Sequence, residues 1–168
     1  MQTNQMVSGS MSLPVVTVGP DAKVQEVLDL ADSTHVHHFP IVEAGRLVGI
    51  VCTCDLQELS PDARVMQAAW RFVITVPHDS LLSDAARLMA LHGVGSIVVM
   101  NDGRVGGIVT RADCVRAAPE LEQLLWDARC VACGSRFHLR PAQDGHCICQ
   151  DCQLRARDGG WLELGAGG

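Results

Sequence analysis

Apolar and polar positions along this chain fall into two matched series. Val15–Val18 and Phe72–Val76 are runs of mostly β-branched and aromatic residues, stopped by Gly19-Pro20 and by Pro77, and each predicts a strand. The period then becomes helical. Val24, Val27, Leu28 and Ala31 recur on one face, and Leu82, Ala85, Ala86 and Met89 repeat the pattern, so a helix follows each strand. Asp21 and Asp79 stand where an N-cap side chain could accept orphan backbone N–H groups. A strand pair comes next in each series. The first is Phe39–Val42 and Leu47–Val51, around Glu43-Ala44-Gly45-Arg46. The second is Ser96–Met100 and Val105–Val109, around Asn101-Asp102-Gly103-Arg104. Asp102-Gly103 is a hairpin signal, because Gly accepts the positive φ that tight turns need. A further helix opens near Asp55 and near Asp113.

The two series are one sequence written twice. Moving Val16–Leu56 forward by 58 positions (107 − 49 = 58, from Gly49 to Gly107) lays it on Ile74–Cys114 without a gap. Thr17-Val18 meets Thr75-Val76, Gly49-Ile50-Val51 meets Gly107-Ile108-Val109, and Asp55 meets Asp113. Such a repeat predicts a pseudo-twofold unit with a cleft between its halves.

The β-α-β-β-α order ending in Gly-Ile-Val-x-x-x-Asp resembles the CBS domain, and two in tandem resemble a Bateman module. The resemblance covers about residues 6–118 and implies a mixed α/β (α+β) fold, with repeats at 6–59 and 60–118. CBS pairs commonly bind adenosine compounds between repeats, through Gly-h-h-Ser/Thr-x-x-Asp, where h is apolar. The Asp takes the ribose hydroxyls and the Ser/Thr hydroxyl reaches a phosphate. A carboxylate suits a cis-diol because it accepts two hydrogen bonds. The second repeat has the whole pattern, in Gly107, Ile108, Val109, Thr110 and Asp113. The first has Gly49 and Asp55 but Cys52 at the hydroxyl position, and a thiol is a weak donor. The resemblance therefore implies a good site on Thr110 and Asp113, and a weak or vacant one at Asp55. Val36-His37-His38-Phe39-Pro40 is similar to a strand whose His-Arg pair contacts phosphates in nucleotide-sensing members. His37 aligns with that His, and His38 takes the Arg place, losing a permanent charge and gaining dependence on pH. Arg111 is a further phosphate candidate, and Ile74, Thr75 and Val76 are the expected base pocket.

The remaining residues carry different chemistry. Cys130-x-x-Cys133 and Cys149-x-x-Cys152 are separated by 15 residues (134–148), the spacing of a four-thiolate zinc site that closes the coordination shell and is structural. Iron in a rubredoxin-like site is the minor alternative, and two disulfides are the competing use of the thiols. Cys147 is a fifth thiol that could replace Cys149 as ligand. His138 and His146 read as neighbours of a complete quartet. The run from Cys130 to Gln153, with Gly134 and Arg140-Pro141, resembles the TraR/DksA zinc-finger family. That resemblance implies a zinc ribbon over 130–164, with Trp161–Leu164 as its last strand, and not polymerase control, since no segment can form that family's coiled coil. Pro119–Arg129 reads as a linker helix whose Leu121, Leu124, Leu125 and Ala128 make an apolar docking stripe.

The net charge of −6, from 13 Lys+Arg against 19 Asp+Glu, disfavours general binding to a phosphate backbone. No apolar stretch is long enough to span a bilayer, and Met1–Ser12 lacks the basic and apolar regions of a signal peptide and reads as mobile. These point to a cytoplasmic, non-catalytic protein. No Ser/His/Asp set, phosphate-cradling glycine loop or open metal site is legible. The leading expectation is a regulatory sensor of AMP, ADP or ATP that forms a homodimer and signals to a protein partner through the zinc ribbon. The alternatives are a ribbon-mediated nucleic-acid or transcription-associated factor, a ligand-free CBS scaffold, and a redox or metal sensor.

Overall fold

The computed structural model describes residues 4–126 and, beyond them, 129–130, 133, 139–141, 147–149 and 152. Expectations for Ala128, Gly134, His138, His146 and Trp161–Leu164 lie outside the described residues. The first repeat contains α1 (Val24–Thr34), β1 (His38–Glu43), β2 (Arg46–Cys52) and α2 (Thr53–Leu56). The second contains β3 (Thr75–Pro77), α3 (Leu82–His92), β4 (Ser96–Asn101), β5 (Arg104–Thr110) and α4 (Arg111–Ala117). After α5 (Glu122–Trp126), β6 (Leu139–Pro141) and β7 (Cys147–Cys149) pair antiparallel.

The hairpins reproduce the repeat rung for rung. In β1–β2, Phe39 faces Val51 and Ile41 faces Gly49; 58 positions on, Ile97 faces Val109 and Val99 faces Gly107. Both turns need two successive positive φ values. Asp102 and Gly103 supply 48° and 76°, and Ala44 and Gly45 supply 48° and 78°, the twist that suits a two-residue hairpin. The alternating apolar residues of each hairpin face the helices and build two cores. One gathers Val24, Val27, Phe39, Ile41, Val51 and Leu56, and the other Leu82, Ala86, Met89, Ile97, Val99 and Val109.

Three expectations need correction. The opening strand of the first repeat is a single parallel bridge, Val18 to Ile41, whereas β3 pairs with β4 over three residues. In the second repeat the N–H of His78 donates to Met100 O at 2.9 Å. The position equivalent to His78 in the first repeat is Pro20, which has no N–H to extend the ladder. Asp21 and Asp79 do not cap their helices, because the helices begin later, with Lys23 and Leu81 at the N-cap positions. Glu26 accepts the Lys23 N–H at 2.9 Å, and Asp21 pairs with Arg64.

The third correction concerns the N-terminal segment, whose described part is built into the fold. Val7 is fully buried in the core of the second repeat. Its N–H donates to Ser80 O at 2.9 Å, Leu82 N–H to Gln5 O at 2.8 Å, and Ser12 N–H to Ile108 O at 2.8 Å. The same bonds recur 58 residues on. Val65 N–H donates to Ala22 O and Val24 N–H to Ala63 O, both at 2.9 Å, while Trp70 N–H donates to Ile50 O at 2.8 Å. The segment leading each repeat therefore crosses to the other, and Val65 is buried in the first core. This exchange ties the halves together.

Within the described residues, leucines of the linker stripe pack inward. Pro119–Leu121 forms a 3-10 turn and α5 follows, with Leu121 and Leu125 buried against the second core. Among the described residues no helix is long and apolar enough to cross a membrane.

Candidate functional site

At the junction of β5 and α4 the chain turns from strand to helix, and that turn fixes two polar side chains. Thr110 Oγ1 donates to Asp113 Oδ2 at 2.7 Å, and the Thr110 N–H reaches the same oxygen at 2.9 Å. Asp113 N–H returns a bond to Thr110 Oγ1 at 3.3 Å, closing a capping box. The other carboxylate oxygen, Oδ1, pairs with Arg116, whose side chain is largely exposed while Asp113 is buried.

This turn forms one wall of a cleft of about 400 Å³. Thr110, Arg111 and Asp113 of the second repeat face Val36, His37 and His38 of the first, with Ser12 and Ile108 between them. The expected site residues Thr110, Asp113, His37, His38 and Arg111 are thus brought together. Arg111 is already oriented. Its Nε donates to Val94 O at 3.2 Å, and its guanidinium lies 6.0 Å from the ring centre of Trp126, within the range of a cation–π contact. His35 is exposed and also lines this cleft.

A second cleft of about 70 Å³ is the pseudo-twofold counterpart. Cys52 and Asp55 take the places of Thr110 and Asp113, and Val94-Gly95-Ser96 take those of Val36-His37-His38. Trp70 stands where the larger cleft has Ser12, so an indole occupies space that a hydroxymethyl group leaves open. Phe72, Val73 and Leu139 add further apolar walls. The structure places Asp55 and Ile74 here, away from Thr110. Thr75 and Val76 line neither of these two clefts; Val76 is buried in the second core. The physical reason is the exchange of leading segments, which carries the chain just before β3 past the first repeat's turn. Trp70 and Phe72 were not legible as cleft residues, since Phe72 served only to open a predicted strand and Trp70 lies before it. Their offset by 58 from Ser12 and Pro14, beside the repeat, was the available signal.

His38 and Gly95 line both clefts. A Cβ on Gly95 would lie 3.6 Å from His38 Nε2, so the imidazole packs against bare backbone where the repeats meet. The Thr53 hydroxyl lies 3.5 Å from His37 Nδ1, and its N–H donates to His37 O at 2.9 Å. In the first-repeat cleft the Cys52 thiol is held well above its ordinary range, first by its hydrogen bond with Cys54 and then by burial.

In the tail, the sulfurs of Cys130, Cys133, Cys149 and Cys152 all lie within 4.8 Å of one another, with Cys133 and Cys149 at 3.6 Å. A tetrahedral zinc with Zn–S bonds of ~2.3 Å sets its sulfurs about 3.8 Å apart, so this donor set fits such an ion. Cys149 is a member of the cluster, paired across β6–β7 with Leu139.

Comparison with known proteins matches the CBS domain profile to residues 7–62 and 63–120. An uncharacterized protein of Methanocaldococcus jannaschii is 30% identical over 126 residues, covering 71% of this chain and 65% of that protein. This chain thus spans less than two thirds of that relative's length. Among solved structures, a CBS domain pair in complex with 5′-methylthioadenosine and S-adenosyl-L-methionine superposes with a TM-score of 0.65 at 26% identity, covering 70% of this chain and 98% of that one. The cytosolic domain of the Mg2+ channel MgtE in complex with ATP gives 0.62 at 28% identity, covering 69% of this chain and 50% of that one.

Proposed function

We propose a function from one premise: this chain belongs to the CBS domain family. It is a regulatory, non-catalytic module that binds an adenine nucleotide (AMP, ADP or ATP) in the larger cleft. The observation that carries this reading is the convergence of Thr110 and Asp113 with His37 and His38 across about 400 Å³. The three ligands named for the similar solved pairs share an adenosine group, so adenosine is the part this cleft is expected to recognise. Asp113 is the receptor for the ribose diol. Its Oδ2 is occupied by Thr110, which leaves Oδ1 for the diol, with the exposed Arg116 moving aside. Thr110, Arg111, His37 and His38 are placed for phosphates, and Val36 and Ile108 for the base in place of Ile74. The small cleft around Asp55, narrowed by Trp70, takes no nucleotide.

The cysteine cluster holds a structural zinc, and the tail carries the signal to a protein partner from a homodimer of CBS pairs. Supporting a link between the parts, Leu139 of β6 lines the cleft around Asp55 while its strand partner is Cys149. Calorimetric titration with AMP, ADP and ATP tests the nucleotide reading. Saturable binding of one of them is expected. Asp113→Ala should weaken it at least about 10-fold, the loss of a charge-assisted pair of bonds, while Asp55→Ala leaves it unchanged. No saturable binding of any of the three, or equal binding by Asp113→Ala, would overturn it.

A further inference from the structure

The small cleft contains a side-chain group that nucleotide recognition does not use. Cys52 ends β2, and Cys54 and Asp55 lie in α2. Their two sulfurs and a carboxylate oxygen all lie within 4.8 Å of one another. The Cys54 thiol is in direct contact with Cys52 Sγ at 2.7 Å, so the pair must open by about 1 Å, through side-chain rotation, to reach the roughly 3.8 Å that a tetrahedral zinc sets between its sulfurs. The backbone causes this convergence. The equivalent turn in the second repeat brings Thr110 Oγ1 to 2.7 Å from Asp113 Oδ2, so the first and fourth positions of the turn point to one place. The first repeat has a sulfur at the first position, and its second sulfur stands where the second repeat has Ala112. Two substitutions thus turn an oxygen-only turn into a donor set of two sulfurs and one oxygen.

A thiol pair gains little from hydrogen bonding to itself, because S–H is a weak donor and sulfur a weak acceptor. A cation held by both sulfurs, moved apart to about 3.8 Å, replaces that weak contact with two metal–thiolate bonds. We propose that Cys52, Cys54 and Asp55 form a second metal site, for a thiophilic divalent cation of the zinc and cadmium class. Two thiolates in a set of three exclude magnesium and calcium, which take oxygen ligands. On binding, the cation gains two thiolate sulfurs and one carboxylate oxygen, and two thiol protons leave to solvent. No electrons move. The set differs from the tail quartet in being incomplete: three protein ligands leave a coordination position open. Two of the three, Cys52 and Asp55, line the small cleft, where His38 is the one imidazole among the lining residues. The tail site is closed and structural, whereas this one is open and exchangeable.

The test is cadmium binding by the full chain, kept reduced and stripped of metal, followed by the thiolate-to-metal charge-transfer absorption and by metal analysis after dialysis. Wild type should bind two cadmium ions per chain. Cys52→Ser/Cys54→Ser should bind one, and Cys130→Ser/Cys133→Ser should also bind one. Asp55→Ala should keep the stoichiometry but weaken one site at least about 10-fold, since even outer-shell changes cost that much. The variants separate this site from the tail site. One ion in wild type, lost in Cys130→Ser/Cys133→Ser and kept in Cys52→Ser/Cys54→Ser, overturns the proposal. One ion in wild type, lost in Cys52→Ser/Cys54→Ser and kept in the tail variant, upholds it and overturns the tail zinc instead. Magnesium competing for the site at equal concentration would also overturn it.

Discussion

Asp113 is buried, completes a capping box with Thr110 and pairs with Arg116, so it shapes the turn as well as facing the cleft. Its replacement by Ala is expected to cost about 1–2 kcal/mol of stability, as for other lost caps. Binding must therefore be compared at matched folded fractions. The neighbouring Cys114 faces the other way, into the second core. Burial, and then the Asp113 charge, push its thiol from the usual 9.0 up to about 11. The sign follows from proton uptake. Between about pH 9 and 11 the unfolded chain loses this proton and the folded one keeps it, so the thiol's contribution to stability falls as pH rises. Urea denaturation of wild type and Cys114→Ala should therefore give a stability difference that shrinks from pH 9 to 11. A difference that stays constant or grows would contradict this placement of the thiol.

Local chemistry determines the elements that the sequence made legible. Both hairpins follow from apolar alternation and two-residue turns, and each helix from its periodic face. The turn at Ala44 is the imperfect copy, since it holds φ at 48° with a residue poorly suited to it, where the other turn has Asp102. Ala44→Asn should stabilise the protein by about 0.5–1 kcal/mol by removing left-handed strain, read as a higher denaturant midpoint with unchanged slope. A lower midpoint would show that the turn tolerates Ala for another reason. Other elements depend on partners distant in sequence and were not legible. Pro20 withholds the N–H with which His78 bonds Met100 in the second repeat, and that loss of a rung shows only against the partner strand. Val7 and its neighbour Met6 form a two-residue apolar run in a mostly polar stretch, and only the partner repeat reveals why Val7 is buried.

At the scale of the whole molecule, the exchanged leading segments join two similar halves and give them unequal clefts. Sequence reading found the walls of the larger cleft, because Thr110, Asp113, His37 and His38 carry a family pattern. It misplaced Ile74, because a strand's offset across the pseudo-twofold is a property of the assembled pair. Since Val7 fills the second core from the far end of the chain, Val7→Ala should cost about 2 kcal/mol. The loss should appear as faster hydrogen exchange in α3 and β4, with α1 less affected. Equal loosening of α1 would mean that the halves do not keep separate cores. The difference between Ser12 and Trp70 predicts one nucleotide per chain. Equilibrium dialysis of a radiolabelled adenine nucleotide against wild type and Asp113→Ala tests that most directly. One equivalent should bind per wild-type chain, and at a nucleotide concentration near the wild-type Kd the variant, weakened at least about 10-fold, should bind only a small fraction of the wild-type amount. Two equivalents in wild type, or undiminished binding by Asp113→Ala, would contradict the account.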